Sequence, residues 1–437
     1  MKLRIFQSDE GDCNLLQSND GKNILCDGGL SKSMRDHVRE NLGELIGSDG
    51  MLDYIYVSHI DQDHIQGVLR LLRDSLDWKV YDFHQAQNDP DVRKPKSPRP
   101  PIIGGLWHNA FSDQVDENLG EIGGLLAVSV PVMFGTAIPE LVYAAEEALS
   151  IAHSIPQALK VSRLCKKDLL DIPVNLIPGS TGPEKLLYSK KRPKSFNVGS
   201  LKITIIGPSE SELNDLRDGW NKWVDGHENR IKSIQKEIHK QIEKFSNDQL
   251  EGTPFDYRNW NGVPDFRGVS IPNVASLMFM VEENGKRLLL TGDSQQEKIL
   301  EGLETAGYLD DGYIHLDALK VQHHGSEHNL DANFSRHVSA DHYIFCGNGT
   351  HGNPEPKVLD IVYKSRMGVK SKLTQAPDAK GKKFTFWFST NSDSLPKQSK
   401  KHANFEEVEE LVDKWVKESN GLMSAIFVTE DFVTLDI

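Results

Sequence analysis

Short apolar runs broken by polar turns open the chain. Leu3-Arg4-Ile5-Phe6, Cys13-Asn14-Leu15-Leu16-Gln17 and Asn23-Ile24-Leu25-Cys26-Asp27 read as three strands, with Ser18-Asn19-Asp20-Gly21 as the tight hairpin turn between the last two. Gly28-Gly29 turns the chain, a helix is expected from Ser33 to Ile46, and Met51 to Val57 is the next strand. Val68, Leu69, Leu71 and Leu72 then recur at helical spacing, which predicts a helix starting near Ile65, and Trp78 to Phe83 is expected to be a strand. Strands and helices in this order give an α/β framework.

Residues 89–101 are too proline-rich for a core element and read as an exposed basic loop. From Asp113 to Asn197 the pattern turns mostly helical, with Leu141 to Leu149 the clearest helix, and ends in the basic run Lys190-Lys191-Arg192-Pro193-Lys194. Strand signals resume over Leu201 to Gly207, Trp220 to Phe245 reads as a charged amphipathic helix, and Ser246 to Ser270 is polar. Two strands follow, Ser276 to Val281 and Arg287 to Thr291, and the α/β order continues to about residue 366. The tail holds Lys383 to Phe388, a helix from Phe405 to Glu418, and an apolar strand near Met423 to Val428. The expected organisation is a domain over 1–366, interrupted by a helical insertion or cap at 113–197, and a C-terminal α/β extension at 367–437.

A chain of 437 residues can bury a large core. Its 50 Lys and Arg against 64 Asp and Glu, a net charge of −14, argue against a surface that is basic all over, while leaving room for a local basic groove. The 4 cysteines have no CxxC spacing and do not resemble a disulfide framework, which fits a reducing cytoplasm. No apolar stretch is long enough to span a bilayer, so neither export nor membrane insertion is expected. The most apolar region, Gly123 to Tyr143, contains Pro131, Pro139 and Glu140 and reads as a buried segment or a partner surface.

The chemistry concentrates at strand ends. Ser58-His59-Ile60-Asp61-Gln62-Asp63-His64-Ile65-Gln66-Gly67 follows the strand ending at Val57 and sends His59, Asp61, Asp63 and His64 out of one short loop. Imidazole nitrogens and carboxylate oxygens are the donors that Zn²⁺, Mn²⁺ or Fe take, and a sharp turn is needed to make all four converge. Three more segments end the same way: Leu289-Leu290-Thr291-Gly292-Asp293, Leu319-Lys320-Val321-Gln322-His323-His324-Gly325-Ser326, and Leu106-Trp107-His108-Asn109.

Together these motifs resemble the metallo-β-lactamase superfamily, in the branch typified by the hydrolase domain of the competence protein ComEC. Gly11-Asp12 followed by Asn23 to Gly29 is similar to its "GD…iLiDGG" motif, Ser58 to Gly67 to "SHxDxDHxxG", Leu289 to Asp293 to "LLTGD", and Leu319 to Ser326 to "LKvpHHGS". Asn348-Gly349-Thr350-His351-Gly352-Asn353-Pro354 is similar to the late "NGxyGNP" segment. The resemblance implies an αββα sandwich with two divalent metal ions at one edge between the sheets. His59 and Asp61 would hold the first with His108 as third ligand, or alternatively His84 or no protein group; Asp63, His64 and His323 would hold the second; Asp293 would bridge. Asp27 would organise the ligand loop, and His324, Ser326, Asn348 and His351 would support the site or meet substrate. The commoner motif has His where this chain has Asp61, so Mn²⁺ stands beside Zn²⁺ as a candidate.

The chemistry so implied is hydrolysis by a metal-bridging hydroxide, with Asp61, Asp63 or Asp293 relaying a proton. A phosphodiesterase or nuclease acting on DNA or RNA is expected, since paired metals suit in-line displacement at phosphorus. The basic loops at Arg93 to Arg99 and Lys190 to Lys194, with Lys380, Lys382 and Lys383, would track the backbone. Two alternatives stand beside it: a partner-gated effector of a multi-protein prokaryotic defence system, docking through the insertion, and a hydrolase of a small ester or cyclic nucleotide. Oligomeric state is not legible in the sequence.

Overall fold

The computed structural model describes residues 1–47, 50–89, 92–109, 160–191, 194–215, 217 and 275–437. Among these, strands β1 (Lys2–Phe6), β2 (Asn14–Gln17), β3 (Asn23–Cys26), β5 (Tyr54–Val57) and β7 (Leu106–His108) form one sheet with β16 (Phe432–Asp436), in the order β16-β1-β2-β3-β5-β7. A second sheet runs β15-β14-β13-β12-β11-β10-β9-β8. Its strands are β8 (Ser195–Val198), β9 (Leu201–Gly207), β10 (Met278–Glu283), β11 (Lys286–Leu290), β12 (Ile314–Lys320), β13 (Val338–Phe345), β14 (Phe384–Phe388) and β15 (Met423–Phe427). A short pair, β4 (Met51–Leu52) with β6 (Ile102–Ile103), lies apart.

The strands are apolar on both faces because both faces are covered. Leu3, Ile5, Leu16, Ile24, Cys26 and Tyr56 turn inward against Phe196, Ile203, Phe279, Leu288 and Ile344 of the second sheet. Their neighbours Phe6, Leu15, Leu25, Ile55 and Val57 turn outward. There they meet a helical layer that begins at α1 (Ser31–Ser33), passes through a π turn at Met34–Val38 into α2 (Arg39–Ile46), and includes the long α3 (Gln62–Ala86). The outer face of the second sheet is covered by α4 (Gln296–Thr305), α5 (Ala332–His337), α6 (Pro356–Met367) and α7 (Lys400–Glu418), through Ile299, Leu303, Phe334, Val358, Val362, Phe405 and Val412. The order helix, sheet, sheet, helix is the αββα arrangement expected.

Three expectations are corrected. Trp78 to Phe83 is helix, the continuation of α3. Its aromatic and β-branched residues suggest a strand, but burial is one-sided: Trp78 is 7% exposed, whereas Val80 and Phe83 are 45% and 58% exposed. The segment 367–437 is no appendage, since β14 and β15 extend the second sheet in parallel and β16 pairs antiparallel with β1. The described end of the expected insertion is framework as well: Val161, Cys165 and Ile172 pack into the outer core of the first sheet, and Leu187 lies between the sheets. The rest of 113–159, the Gly123 to Tyr143 region, the Trp220 to Phe245 helix and the polar stretch 246–270 lie outside the described residues. Among the described residues no helix is long and apolar enough to cross a membrane.

Parallel pairing sets where the chemistry collects. β3, β5 and β7 run parallel in one sheet, and β11, β12 and β13 run parallel in the other. The loops leaving the carboxyl ends of these six strands carry the candidate ligands, which is where open α/β sheets place their sites.

Candidate metal centre

The ligand loop is built around Asp27, which follows β3 with φ 57°. Its carboxylate accepts the Ser58 backbone N–H at 2.7 Å and the Ser58 hydroxyl at 2.7 Å, and lies 3.0 Å from His64 Nδ1. Ser58 Oγ, with its proton given to Asp27, is left to accept from His59 Nδ1 at 3.0 Å. Asp61 then caps α3 in an extended conformation, so the helix begins at Gln62 and Asp63 and His64 fall in its first turn.

Four histidines share one geometry. Nδ1 of His59 is tied to Ser58, that of His64 to Asp27, that of His323 to Asn329 Oδ1 at 2.7 Å, and that of His324 to Asp12 Oδ1 at 3.1 Å. With Nδ1 donating, each ring presents a lone pair at Nε2. All four Nε2 atoms face one oxygen, Asp293 Oδ2, at 3.6, 3.5, 3.8 and 3.4 Å for His59, His64, His323 and His324 respectively. Asp61 Oδ2 is 3.6 Å from His59 Nε2, and Asp63 Oδ2 is 3.6 Å from His64 Nε2 and 3.0 Å from His324 Nε2. Two donors on one tetrahedral Zn²⁺, each at about 2.0–2.1 Å, stand about 3.4 Å apart, so the spacings fit shared cations.

The same atoms are otherwise orphaned. His59 Nε2, Asp61 Oδ1, His64 Nε2, both ring nitrogens of His108, Asp293 Oδ1 and His324 Nε2 are buried without a hydrogen-bond partner. Such a concentration is costly unless a cation satisfies it. Asp12, His64, Asp293 and His324 each offer an atom within 4.8 Å of the others. Asp12 differs from the rest in that both its oxygens are already engaged, Oδ1 by His324 and Oδ2 by the Lys320 ammonium.

Charges in the cluster hold one another in place. Burial alone would lower the pKa of His64 and His324, but Asp293 reverses this, with Asp63 at His64 and Asp12 at His324, and both rise well above the ordinary imidazole value. Burial would likewise raise Asp293 and Asp63; His324 and His64 outweigh it, and both carboxyls fall below their ordinary value. Asp12 is held at about 2, burial being overcome by Lys320, then His324 and His64. Protons on the imidazoles thus occupy the place of cations, so cation affinity rises with pH as those protons are displaced. His108 is different: burial, then His59, bring it down to about 4, so it is neutral and ready to ligate. Asn175 fixes its backbone from both sides, accepting from the His108 N–H at 2.9 Å and donating to its carbonyl at 3.0 Å.

The structure separates the remaining expected residues. His84 is out of reach: at about 1.5 Å per residue it lies about 30 Å beyond His64 along α3, and its Nδ1 is 2.9 Å from Asp89. The two adjacent histidines differ in their surroundings, though both Nε2 atoms approach Asp293 Oδ2. His324 is buried between Asp63 and Asp293, while the His323 side chain is 33% exposed and farther from both. Ser326 and Asn348 shape the neighbouring turns, Ser326 donating its N–H to His323 O at 3.0 Å and Asn348 Oδ1 accepting the Thr350 hydroxyl at 2.6 Å. His351 lies on the exposed turn Thr350–Gly352, outside the cluster. Asp12 and Lys320 were not expected at the site; a buried lysine closing an apolar strand is the signal that marks them.

The basic loops are tied to acidic and aromatic neighbours. Arg99 stacks on Trp78, 4.2 Å from the ring centroid, and pairs with Asp82. Trp78 is about 21 Å past His64 along α3, so this loop sits toward the far end of the helix. Lys190 and Lys194 face Glu184, and Lys382 is 4.0 Å from Asp341.

No family model and no curated protein matches the chain. Among solved structures it is similar to human tRNase Z, short form, at 9% identity over 100% of this chain and 99% of that one, with a TM-score of 0.28. It is also similar to Zn²⁺-bound PqqB from Methylobacterium extorquens, at 11% identity over 100% of both chains and a TM-score of 0.32. A metallo-β-lactamase with a HARLDQ motif from Cronobacter sakazakii matches at 10% identity over 96% of this chain and 95% of that one, with a TM-score of 0.26. Likenesses this loose carry no weight of their own; the four layers and the ligand-bearing edge define the fold.

Proposed function

We propose that the chain is a metal-dependent hydrolase of the metallo-β-lactamase superfamily that cleaves phosphodiester bonds in DNA or RNA. The observation that carries this reading is the convergence of four imidazole Nε2 atoms on Asp293 Oδ2, at 3.4 to 3.8 Å. His59, Asp61 and His108 would hold one divalent cation, and Asp63, His64 and His324 the other, with Asp293 contributing to the same centre. Nitrogen and carboxylate donors suit Zn²⁺, and the carboxylate at Asp61 keeps Mn²⁺ in competition. Such cations supply Lewis acidity toward a phosphoryl oxygen and acidify water.

The chain's own groups do the rest. Asp27 and Ser58 fix the ring orientations of His64 and His59. Asp61 Oδ1, buried without a hydrogen-bond partner, can accept a proton from an attacking water. His323, with Nδ1 tied to Asn329 Oδ1 and its side chain one-third exposed beside Asp293, is placed to meet a departing oxygen. His351, on its exposed turn, can meet a substrate phosphate. The Asn348 to Pro354 segment is the feature that points, within the superfamily, to the ComEC-like branch.

The test is cleavage of labelled single-stranded and duplex DNA and RNA by protein chelated and reloaded with Zn²⁺ or Mn²⁺, beside an Asp63→Ala, His64→Ala variant. Cation-dependent cutting that the variant lacks is the expected result. Absence of cutting by protein shown to carry its cations would remove the nucleic-acid reading and direct attention to small phosphodiesters or esters.

A further inference from the structure

Lys320 ends β12 at 3% exposure, with Asp12 at 2% and Asp293 at 3% beside it. Its ammonium binds Asp12 Oδ2, donates to the Gly292 carbonyl at 3.2 Å and stands 3.6 Å from Asp293 Oδ1. Asp12 in turn uses Oδ1 to hold His324 Nδ1 at 3.1 Å. The histidines of the ligand loop have nearer anchors in Asp27 and Ser58, His64 Nδ1 lying 3.9 Å from Asp12 Oδ2, so this relay serves His324 and Asp293 first. A buried lysine is stable only when its donors are engaged and its charge is met, and here it meets two carboxylates of the same centre.

We propose that Lys320 and Asp12 are positioning residues of the metal centre: Asp12 Oδ1 holds the His324 ring by its Nδ1, leaving Nε2 toward Asp63 and Asp293, and the Lys320 ammonium holds Asp12 by its other oxygen while standing 3.6 Å from Asp293 Oδ1. The proposal rests on the metal-centre reading above. It has a consequence for charge: Asp12 and Asp293 meet one ammonium, and with Asp27, Asp61 and Asp63 in the same centre two divalent cations would bring the five carboxylates and the ammonium to neutrality. Removing Lys320 alone would leave Asp12 a buried carboxylate without its ammonium, so the two residues are replaced together. Outer partners of metal ligands are commonly worth about 10-fold to 100-fold in metal affinity.

The experiment is equilibrium dialysis with elemental analysis of full-length protein titrated with Zn²⁺, together with the visible spectrum of the Co²⁺-loaded form, which reads coordination without reference to activity. Wild type is expected to hold two cations. The double variant Asp12→Ala, Lys320→Met, checked for folding by circular dichroism, is expected to keep one tight cation and hold the other about 10-fold to 100-fold more weakly, with an altered Co²⁺ spectrum. His324→Ala should lose one cation and His323→Ala should keep both, which tests the proposal even if the double variant does not fold. Two cations bound with wild-type affinity and spectrum by the double variant, or loss in His323→Ala with retention in His324→Ala, would overturn the proposal while leaving the centre itself standing. A wild-type protein that binds no cation would overturn the centre and the positioning roles together.

Discussion

Adjacent histidines 323 and 324 show how much one backbone angle decides. Both adopt φ values of the left-handed region, 45° and 55°, and Gly325 follows at 86°, so the turn sends one ring between Asp63 and Asp293 and leaves the other one-third exposed, its Nε2 3.8 Å from Asp293 Oδ2. The order of residues along the chain carries no such information, which is why the pair was legible as ligand chemistry while its division of labour was not. Asp12 and Lys320 escaped for a related reason: the partner of Asp12 that gives it a role is His324, 312 residues away. Elsewhere a single histidine sets a pH response. His342 Nδ1 accepts the Trp387 indole N–H at 3.1 Å, and burial lowers its pKa, an effect the Asp341 charge offsets only in part. Below about pH 6.5 the unfolded chain binds a proton there that the folded chain resists, so this residue's contribution to stability is present above that pH and is lost as pH falls. His342→Gln, which retains an acceptor for the indole, is expected to flatten the decline in urea midpoint between about pH 7 and pH 5; an unchanged slope would contradict the assignment.

Helix α3 shows what an element needs beyond periodicity. Its first turn must approach the loop after β3 closely enough for Gly28 N–H to reach His64 O at 2.8 Å and Gly67 N–H to reach Gly29 O at 2.9 Å. A Cβ on Gly67 would lie 1.9 Å from the Gly28 carbonyl oxygen, and one on Gly28 would lie 2.4 Å from Val68 N. The sequence reading took Gly28-Gly29 as a turn only, since close approach between two backbones leaves no trace in either segment alone. Gly67→Ala is expected to lower stability by about 1–3 kcal/mol and to weaken cation binding, because His64 rides on the same turn. Gly43→Ala on α2, where a Cβ meets nothing within 4 Å, should instead add about 0.5–1 kcal/mol. Urea denaturation and Zn²⁺ titration of both variants check the pair; equal effects would refute the close-approach argument. The length of α3 was misjudged because Trp78, Val80, Tyr81 and Phe83 have strand propensities. Tertiary burial of Trp78 on the helical stripe overrides them.

For the molecule as a whole, local pattern was enough for the two-sheet, helix-covered architecture and for the edge where the ligands gather, because every framework strand is short, apolar and bounded by turns. Membership of the tail could not be read that way. β16 owes its place to pairing with β1 at the other end of the chain, Leu3 opposite Leu435, and β15 to a parallel register with β14, Phe386 opposite Ala425; neither register is written in neighbouring residues.

Under the proposed function, the long helix would act as a ruler. Its start carries the cluster and Trp78, about 21 Å along, carries Arg99 and Lys94 against its ring. At about 3.4 Å per nucleotide that distance corresponds to about six nucleotides. Oligonucleotides longer than this would engage both ends, and shorter ones the cluster alone. Replacing Arg93 and Lys96 by alanine, beside the same loop, is therefore expected to weaken binding and salt dependence for long strands while leaving hydrolysis of a dinucleotide or a nitrophenyl phosphodiester unchanged. A loss of equal size on the smallest substrates would show that the helix measures nothing.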